Sequence, residues 1–130
     1  MENRPNPVVW FEIYVNDIER ATKFYEEVLQ ITLNVAPESN MNADFKMRIF
    51  PENNPNGYGA HGALVQMKDR VAGGHGTMVY FGSLNCEVEQ KRVEDAGGKV
   101  MKPRFSIGEH GFISICEDTE GNAFGIYSMQ

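Results

Sequence analysis

The sequence predicts an α+β domain built from two tandem βαβββ modules. The first observation is a hairpin near the end of the chain. Isoleucines alternate with polar residues in 113–116, a second alternating run covers 124–127, and turn-forming residues fill 118–122 between them. The second observation is an internal repeat. The strand and helix pattern of the first half returns 68 residues later and superposes Trp10 on Met78.

The first module covers about residues 7–67. Odd positions of residues 8–15 are uniformly apolar, which is typical of a strand that packs on a helix. Apolar residues then recur at helical spacing as far as residue 29, and Asn16 with Glu19 resembles a capping box at the helix start. Three further strands are predicted, over residues 31–35, 43–50 and 60–67.

A glycine-rich linker, residues 68–76, separates this module from the second, at about 77–129. The second module begins with a strand at 77–83. Asn85 is suited to cap a helix that ends at Gly97, since glycine readily takes the backbone conformation of a helix end. A short strand at 99–102 precedes the final hairpin.

Two motifs carry a family resemblance. The turn Asp118–Asn122 resembles the D-P-[DE]-G-N turn of the vicinal oxygen chelate superfamily, the glyoxalase, bleomycin-resistance and extradiol-dioxygenase group, with Thr119 in place of proline. The run WFEIYVND, followed by Ala21 and by FY at 24–25, resembles its first strand and helix. The resemblance implies that the modules form a half-closed barrel with the ligand inside, and it favours a homodimer. Because the superfamily hosts many chemistries, the fold does not define the activity.

In metal-dependent members of this superfamily, four inward side chains hold an ion. The resemblance places those positions at Trp10, Gly62, Met78 and Gly125. None of these residues is a useful ligand for a divalent cation, which takes carboxylate oxygen, imidazole nitrogen or thiolate sulfur. We therefore expect no metal and no other cofactor.

The three histidines offer an alternative source of metal ligands or proton donors. His61 neighbours Gly62 on a strand and is expected to face away from the barrel. His75 and His110 fall in glycine-flanked loops, where solvated histidine is the simple interpretation. His110 is retained as a candidate proton donor at the barrel mouth.

Strand parity selects the residues expected to face the cavity. They are Trp10, Glu12, Tyr14, Arg48, Gly62, Leu64, Met78, Tyr80, Gly125 and Tyr127. Glu12 is the candidate acid–base group, because a carboxylate beside aromatic rings loses hydration and its pKa rises. The alternative is that Glu12 forms an ion pair with Arg48. The aromatic residues could also simply fill the barrel.

Three functions remain open. The first is a metal-independent small-molecule binding protein, similar to the bleomycin-resistance members. The second is a glyoxalase-like lyase or isomerase that uses Glu12, a tyrosine or His110 for proton transfer. The third is a structural or partner-binding domain with a filled barrel. A measured cavity volume would separate the third function from the other two.

Composition excludes several other classes. A net charge of −6 over 130 residues argues against nucleic-acid binding, which needs a basic face. No apolar run approaches the roughly 20 residues of a membrane span, and residues 1–5 do not resemble a secretory signal. Cys86 and Cys116 are expected to be reduced, packed thiols. A cytoplasmic protein is therefore predicted.

Overall fold

A computed structural model of the chain describes residues 6–37, 44–52, 59–74 and 76–130. These residues form two α-helices, a short 3-10 helix at Gly108–His110 and eight strands. The helices are α1 (Ile18–Leu29) and α2 (Cys86–Val93); the strands are β1 (Val8–Tyr14), β2 (Asn34–Val35), β3 (Phe45–Ile49), β4 (His61–Met67), β5 (Thr77–Gly82), β6 (Lys99–Ser106), β7 (Phe112–Glu117) and β8 (Ala123–Ser128). The chain divides into a first compact unit, Trp10–Thr77, and a second formed by Met78–Gln130 with Met1–Val9.

The first unit has the strand order β2-β3-β4-β1. β1 pairs with β4 in parallel, whereas β3 is antiparallel to both β2 and β4. One face of this sheet packs on α1 through a core of Val15, Ile18, Leu33 and Leu64. Because these side chains leave water together, they supply most of the stabilisation of the unit.

The second unit repeats this pattern with the order β5-β8-β7-β6. Here β5 and β8 are parallel, and β7 is antiparallel to β6 and to β8. Its core on the α2 side contains Cys86, Cys116 and Ile126. Both cysteines are free and fully buried, and burial raises the pKa of the Cys116 thiol. The predicted α+β fold with repeated βαβββ pairing is thus confirmed.

Local details differ from the sequence predictions. The cap of α1 is Asp17, whose side chain accepts a hydrogen bond from the Arg20 N–H. The neighbouring Asn16 instead accepts from the Ala72 N–H, in the linker. In the second unit β6 runs to Ser106, beyond the predicted end at residue 102, with irregular register around Lys102.

The predicted turn at Asp118–Asn122 is present. The Asp118 carboxylate accepts hydrogen bonds from the backbone N–H of Glu120 at 2.8 Å and of Asn122 at 2.9 Å. These bonds to the ionised form, first of all the one from Asn122, hold the pKa of Asp118 below its ordinary value. Gly121 has a φ of 85°, a conformation that glycine adopts without strain.

Candidate ligand-binding site

A hydrogen-bonded group lies on β1, on the face of the first unit opposite α1. The Glu12 carboxylate accepts from the Trp10 indole Nε1–H at 3.1 Å and from the Tyr14 hydroxyl at 2.5 Å. Each donor binds a different carboxylate oxygen. The three residues alternate along one strand, so their side chains emerge on the same face. The expected orientation of all three is confirmed.

This arrangement fixes the carboxylate in one orientation. Trp10 and Glu12 are half-buried, and Tyr14 is only 6% exposed. Hydrogen bonds to an ionised acceptor are stronger than neutral ones, especially where water is partly excluded.

His61 extends this group, although the sequence analysis placed it on the opposite face. It lies across from Trp10 in the parallel register of β1 and β4, and the two rings meet edge to face at a centroid distance of 5.2 Å. Its Nε2 lies 2.9 Å from the Phe50 carbonyl oxygen. Since a carbonyl only accepts, Nε2 carries the hydrogen and the ring orientation is set.

Arg70 adds a positive charge beside the same group. Its guanidinium carbon lies 4.6 Å from the centroid of the Tyr14 ring. The residue is positioned by the turn after β4, where its N–H donates to the Met67 carbonyl. Sequence parity could not identify Arg70, because it lies in the linker and outside any alternating run.

For convenience we call Trp10, Glu12, Tyr14, His61 and Arg70 the Glu12 cluster. All five belong to the first unit and to the described part of the chain.

The expected position of Gly62 is wrong. In the observed register Gly62 lies across from Phe11, on the side that packs on α1. A Cβ at residue 62 would lie 2.5 Å from the Phe11 ring, so that ring already fills the space. The residue opposite Glu12 is Ala63, one position later. A shift of one residue in a strand moves every side chain to the other face.

The same one-residue shift corrects the expected sheet face of Leu64 and of Arg48, which pair across β3 and β4. Leu64 is fully buried in the core against α1. Arg48 binds Glu19 of α1, with 2.6 Å between Nη2 and Oε1. The alternative of an ion pair between Arg48 and Glu12 is therefore wrong. Neither Arg48 nor Leu64 lies on the face of the Glu12 cluster.

In the second unit, strand parity predicted the faces correctly. Tyr80 lies across from Gly125 in the register of β5 and β8, on the face opposite α2, and Met78 and Tyr127 share that face. Met78 and Tyr80 are 2% and 7% exposed. The Tyr127 hydroxyl donates to the His110 carbonyl at 2.5 Å. A role of these residues in ligand binding stays a prediction.

His110 ends the short 3-10 helix before β7. Its side chain is 60% exposed, and Nε2 lies 4.0 Å from the Glu109 carboxylate. The histidine is exposed as expected for a loop residue, and its catalytic role stays a prediction. His75 lies outside the described residues.

The donor set does not fit a divalent ion at the positions that the family resemblance indicated. With the register corrected, these positions are Trp10, Ala63, Met78 and Gly125. An indole N–H cannot ligate a cation, a thioether is a soft ligand, and the other two residues offer no side-chain donor. Among the residues that the structure describes, no three His, Cys, Asp or Glu side chains are grouped closely enough to hold a metal.

Comparison with known proteins gives a consistent picture. The family model described as Glyoxalase/Bleomycin resistance protein/Dioxygenase superfamily matches residues 8–126. None of the curated proteins matches the chain in sequence.

Several solved structures resemble the chain in fold. A variant methylmalonyl-CoA epimerase from Streptomyces coelicolor, in complex with 2-nitronate-propionyl-CoA, has a TM-score of 0.65 at 13% identity, covering 94% of this chain and 96% of that one. The epimerase from Mycobacterium tuberculosis has a TM-score of 0.65 at 12% identity, covering 95% and 88%. A hypothetical protein from Bacillus halodurans C-125 has a TM-score of 0.68 at 13% identity, covering 95% and 94%.

At such identities these similarities establish the fold alone. In the described residues, no helix combines the length and apolar character needed to cross a membrane.

Proposed function

Because this chain belongs to the glyoxalase/bleomycin resistance protein/dioxygenase superfamily, we propose that it is a metal-independent small-molecule binding protein. The ligand lies against the Glu12 cluster. The observation that carries this proposal is the fixed Glu12 carboxylate, which accepts one hydrogen bond on each oxygen from Trp10 and Tyr14. A carboxylate held in one orientation is ready to bind without an ordering cost.

The chemistry of the cluster selects the ligand class. Glu12 offers acceptors, so the ligand supplies an N–H or an ammonium group. Trp10 offers a large, flat, half-buried surface, which suits a planar ring. The cluster therefore fits a planar molecule that carries an amine next to its ring system. A ligand carboxylate placed directly against the Glu12 oxygens would be repelled by them, and only the Arg70 side of the cluster would attract it.

The donors at the four positions that the resemblance indicated support metal independence. An oxygen-bearing substrate cannot be polarised there by a divalent ion, because Ala63 and Gly125 provide no ligand and Trp10 provides only a donor. Hydrogen bonds and aromatic contacts supply the binding free energy in its place.

An isomerase or lyase is the second candidate, and the oriented carboxylate favours it. A carboxylate with a fixed direction is also the geometry of a general base. Two methylmalonyl-CoA epimerases share this fold, so the scaffold can carry an isomerase. To accept a proton, Glu12 would exchange its bond from Trp10 or Tyr14 for the substrate. The binding function needs no such exchange and is preferred.

A filled, ligandless domain is the third candidate. It is supported in the second unit, where the Tyr80 ring takes the space next to Gly125. The half-buried Glu12 carboxylate in the first unit argues against it, since an acidic group in a purely structural core is costly.

A thermal-shift screen tests the proposal. Planar amines, and matched planar carboxylates as controls, are added with and without EDTA. A ligand at 100 times its Kd stabilises the fold by about 2.7 kcal/mol, so Tm rises measurably. We expect shifts with amines only, unchanged by EDTA, and lost in Glu12→Gln but kept in Glu19→Gln. Shifts that disappear with EDTA would refute metal independence, and turnover of a hit would favour the enzyme.

A further inference from the structure

A second concavity lies in the first unit, and its lining includes Tyr14. It has a volume of about 570 Å³ and runs between the first two turns of α1 and the linker residues 72–74 and 76–77. We call it the linker groove. Its size falls within the range of about 300–1,000 Å³ typical of small-molecule sites. The apolar floor is formed by Ile13, Val15 and Ala21.

The linker wall is held in place by main-chain hydrogen bonds. The Tyr14 N–H donates to the Gly76 carbonyl at 2.6 Å, and the Gly76 N–H donates to Gly73 at 2.8 Å. The Ala72 N–H donates to the Asn16 side chain at 3.1 Å. Gly73 and Gly74 have positive φ, and no atom lies within 4 Å of a Cβ built on either. The described residues of this wall, 72–74 and 76, are therefore anchored through their backbone.

The helix wall carries two charges and two aromatic rings. Arg20 Nη1 lies 4.0 Å from the Asp17 carboxylate, and their side chains are 75% and 50% exposed. One turn further, the Phe24 and Tyr25 rings meet edge to face, and Phe24 is 57% exposed. The Phe24 ring therefore offers an exposed apolar surface to a ligand in the groove.

The charges on this wall balance. Glu19, the other acidic residue of the first helical turn, is bound to Arg48. That leaves Asp17 and Arg20 as one negative and one positive group side by side. A simple anion would be attracted by Arg20 but repelled by Asp17. A simple cation would be attracted by Asp17 but repelled by Arg20. A dipolar molecule satisfies both.

We infer that the linker groove binds an aromatic α-amino acid in its zwitterionic form. The carboxylate lies on Arg20, the ammonium on Asp17 and the ring against Phe24. Arg20 and Phe24 are four residues apart on α1, so they are neighbours on one helix face. Tyr14 lines the groove and also binds Glu12, but the charged contacts of this site do not involve Glu12, so the inference does not rest on the proposed function.

Titration of the ¹⁵N-labelled full chain with L-phenylalanine tests the inference. We expect saturable amide shifts at Arg20, Gly73 and Gly74. L-Alanine lacks the ring, phenylacetate the ammonium and phenethylamine the carboxylate, so each should bind at least fivefold more weakly. For so exposed a site we take about 1 mM as the upper limit of the Kd. Absence of shifts at these amides with L-phenylalanine at about 10 times that concentration would overturn the inference.

Variants distinguish binding at a specific site from non-specific binding. Asp17→Asn keeps a capping side chain and removes the charge. It should raise the Kd roughly fivefold, as should Arg20→Met, the size expected for an exposed charge contact. Lys23→Met, on the same helix but outside the groove, should leave the Kd unchanged. Equal affinity in wild type, Asp17→Asn and Arg20→Met would also overturn the inference.

Discussion

Tyr80 and Gly125 face each other across the parallel strands β5 and β8, and the tyrosine ring occupies the place of the missing side chain. A Cβ at residue 125 would lie 2.3 Å from two ring carbons. Tyr80 is only 7% exposed, so its ring has little room to move. The glycine is thus required by a neighbour within its own unit.

Gly125→Ala is expected to destabilise the protein by about 1–3 kcal/mol, the usual cost of overpacking. A smaller gain from restricting the unfolded chain, about 0.4–1 kcal/mol, opposes this loss. Urea unfolding measures the difference. In a Tyr80→Leu background the same change should cost much less, because the ring is gone. Equal losses in both backgrounds would show that the contact is not the cause.

Trp10→Phe should weaken ligand binding and leave the fold largely intact. The ring surface remains, but the indole N–H that orients Glu12 is lost, at a cost of roughly 1.5–3 kcal/mol for a bond to a charged group. Trp10→Ala should weaken binding by about 2–4 kcal/mol, as for a central aromatic anchor. Calorimetry with a hit from the thermal-shift screen provides the values. A large loss of Tm with no ligand found would instead support a filled, structural domain.

Arg48→Met tests the corrected register. Because Arg48 binds the exposed Glu19 on the helix side, its removal should change the free energy of unfolding by less than about 1 kcal/mol. The Kd for a ligand at the Glu12 cluster should be unaffected. Glu19→Gln is the matched variant and should behave alike. A Kd raised by Arg48→Met alone would return Arg48 to the ligand side of the sheet.

Acid should weaken the hairpin turn between β7 and β8. The pKa of Asp118 is lowered in the folded protein, so its contribution is complete above the unfolded value of about 3.9. That contribution disappears as the pH falls through the lower, folded value. Asp118→Ala should therefore flatten this part of the curve of stability against pH, measured by urea unfolding from pH 5 to pH 2. Glu120→Gln, in the same turn, serves as the control. An identical curve for Asp118→Ala would contradict the assignment.

A homodimer is the expected assembly. In the described residues β2 and β6 each pair with one strand only, and a second copy could cover such an edge. Sedimentation velocity at tens of micromolar should give twice the chain mass of 14.6 kDa. A sedimenting mass equal to one chain would refute the dimer.

The fold could be predicted from the sequence because its apolar residues recur with a regular period. β1 alternates cleanly, and the repeat at 68 residues carried that parity to β5. Trp10, Glu12 and Tyr14 were therefore placed on the correct face. The turn at Asp118–Asn122 followed from the chemistry of its own residues.

The register of β4 could not be predicted in the same way. Gly62, Ala63, Leu64 and Val65 are all buried, so both faces of the strand are apolar and alternation is absent. Only the pairing with β1 defines which face each residue takes. Because of this ambiguity, Gly62 and Leu64 were assigned to the wrong face, and His61 was not recognised as a neighbour of Trp10. The face of Arg48 on β3 was also predicted wrongly. Arg48 pairs with Leu64 and its side chain reaches Glu19 on the helix side of the sheet.

The edge-to-face contact of Trp10 with His61 has an optical consequence. Trp10 is the only tryptophan in the chain, so indole emission arises from a single strand position that also donates to Glu12. A molecule that displaced the Glu12 bond, or changed the tilt against the imidazole, would alter the emission wavelength or yield without any attached dye. The protein therefore contains a built-in fluorescent probe of one carboxylate.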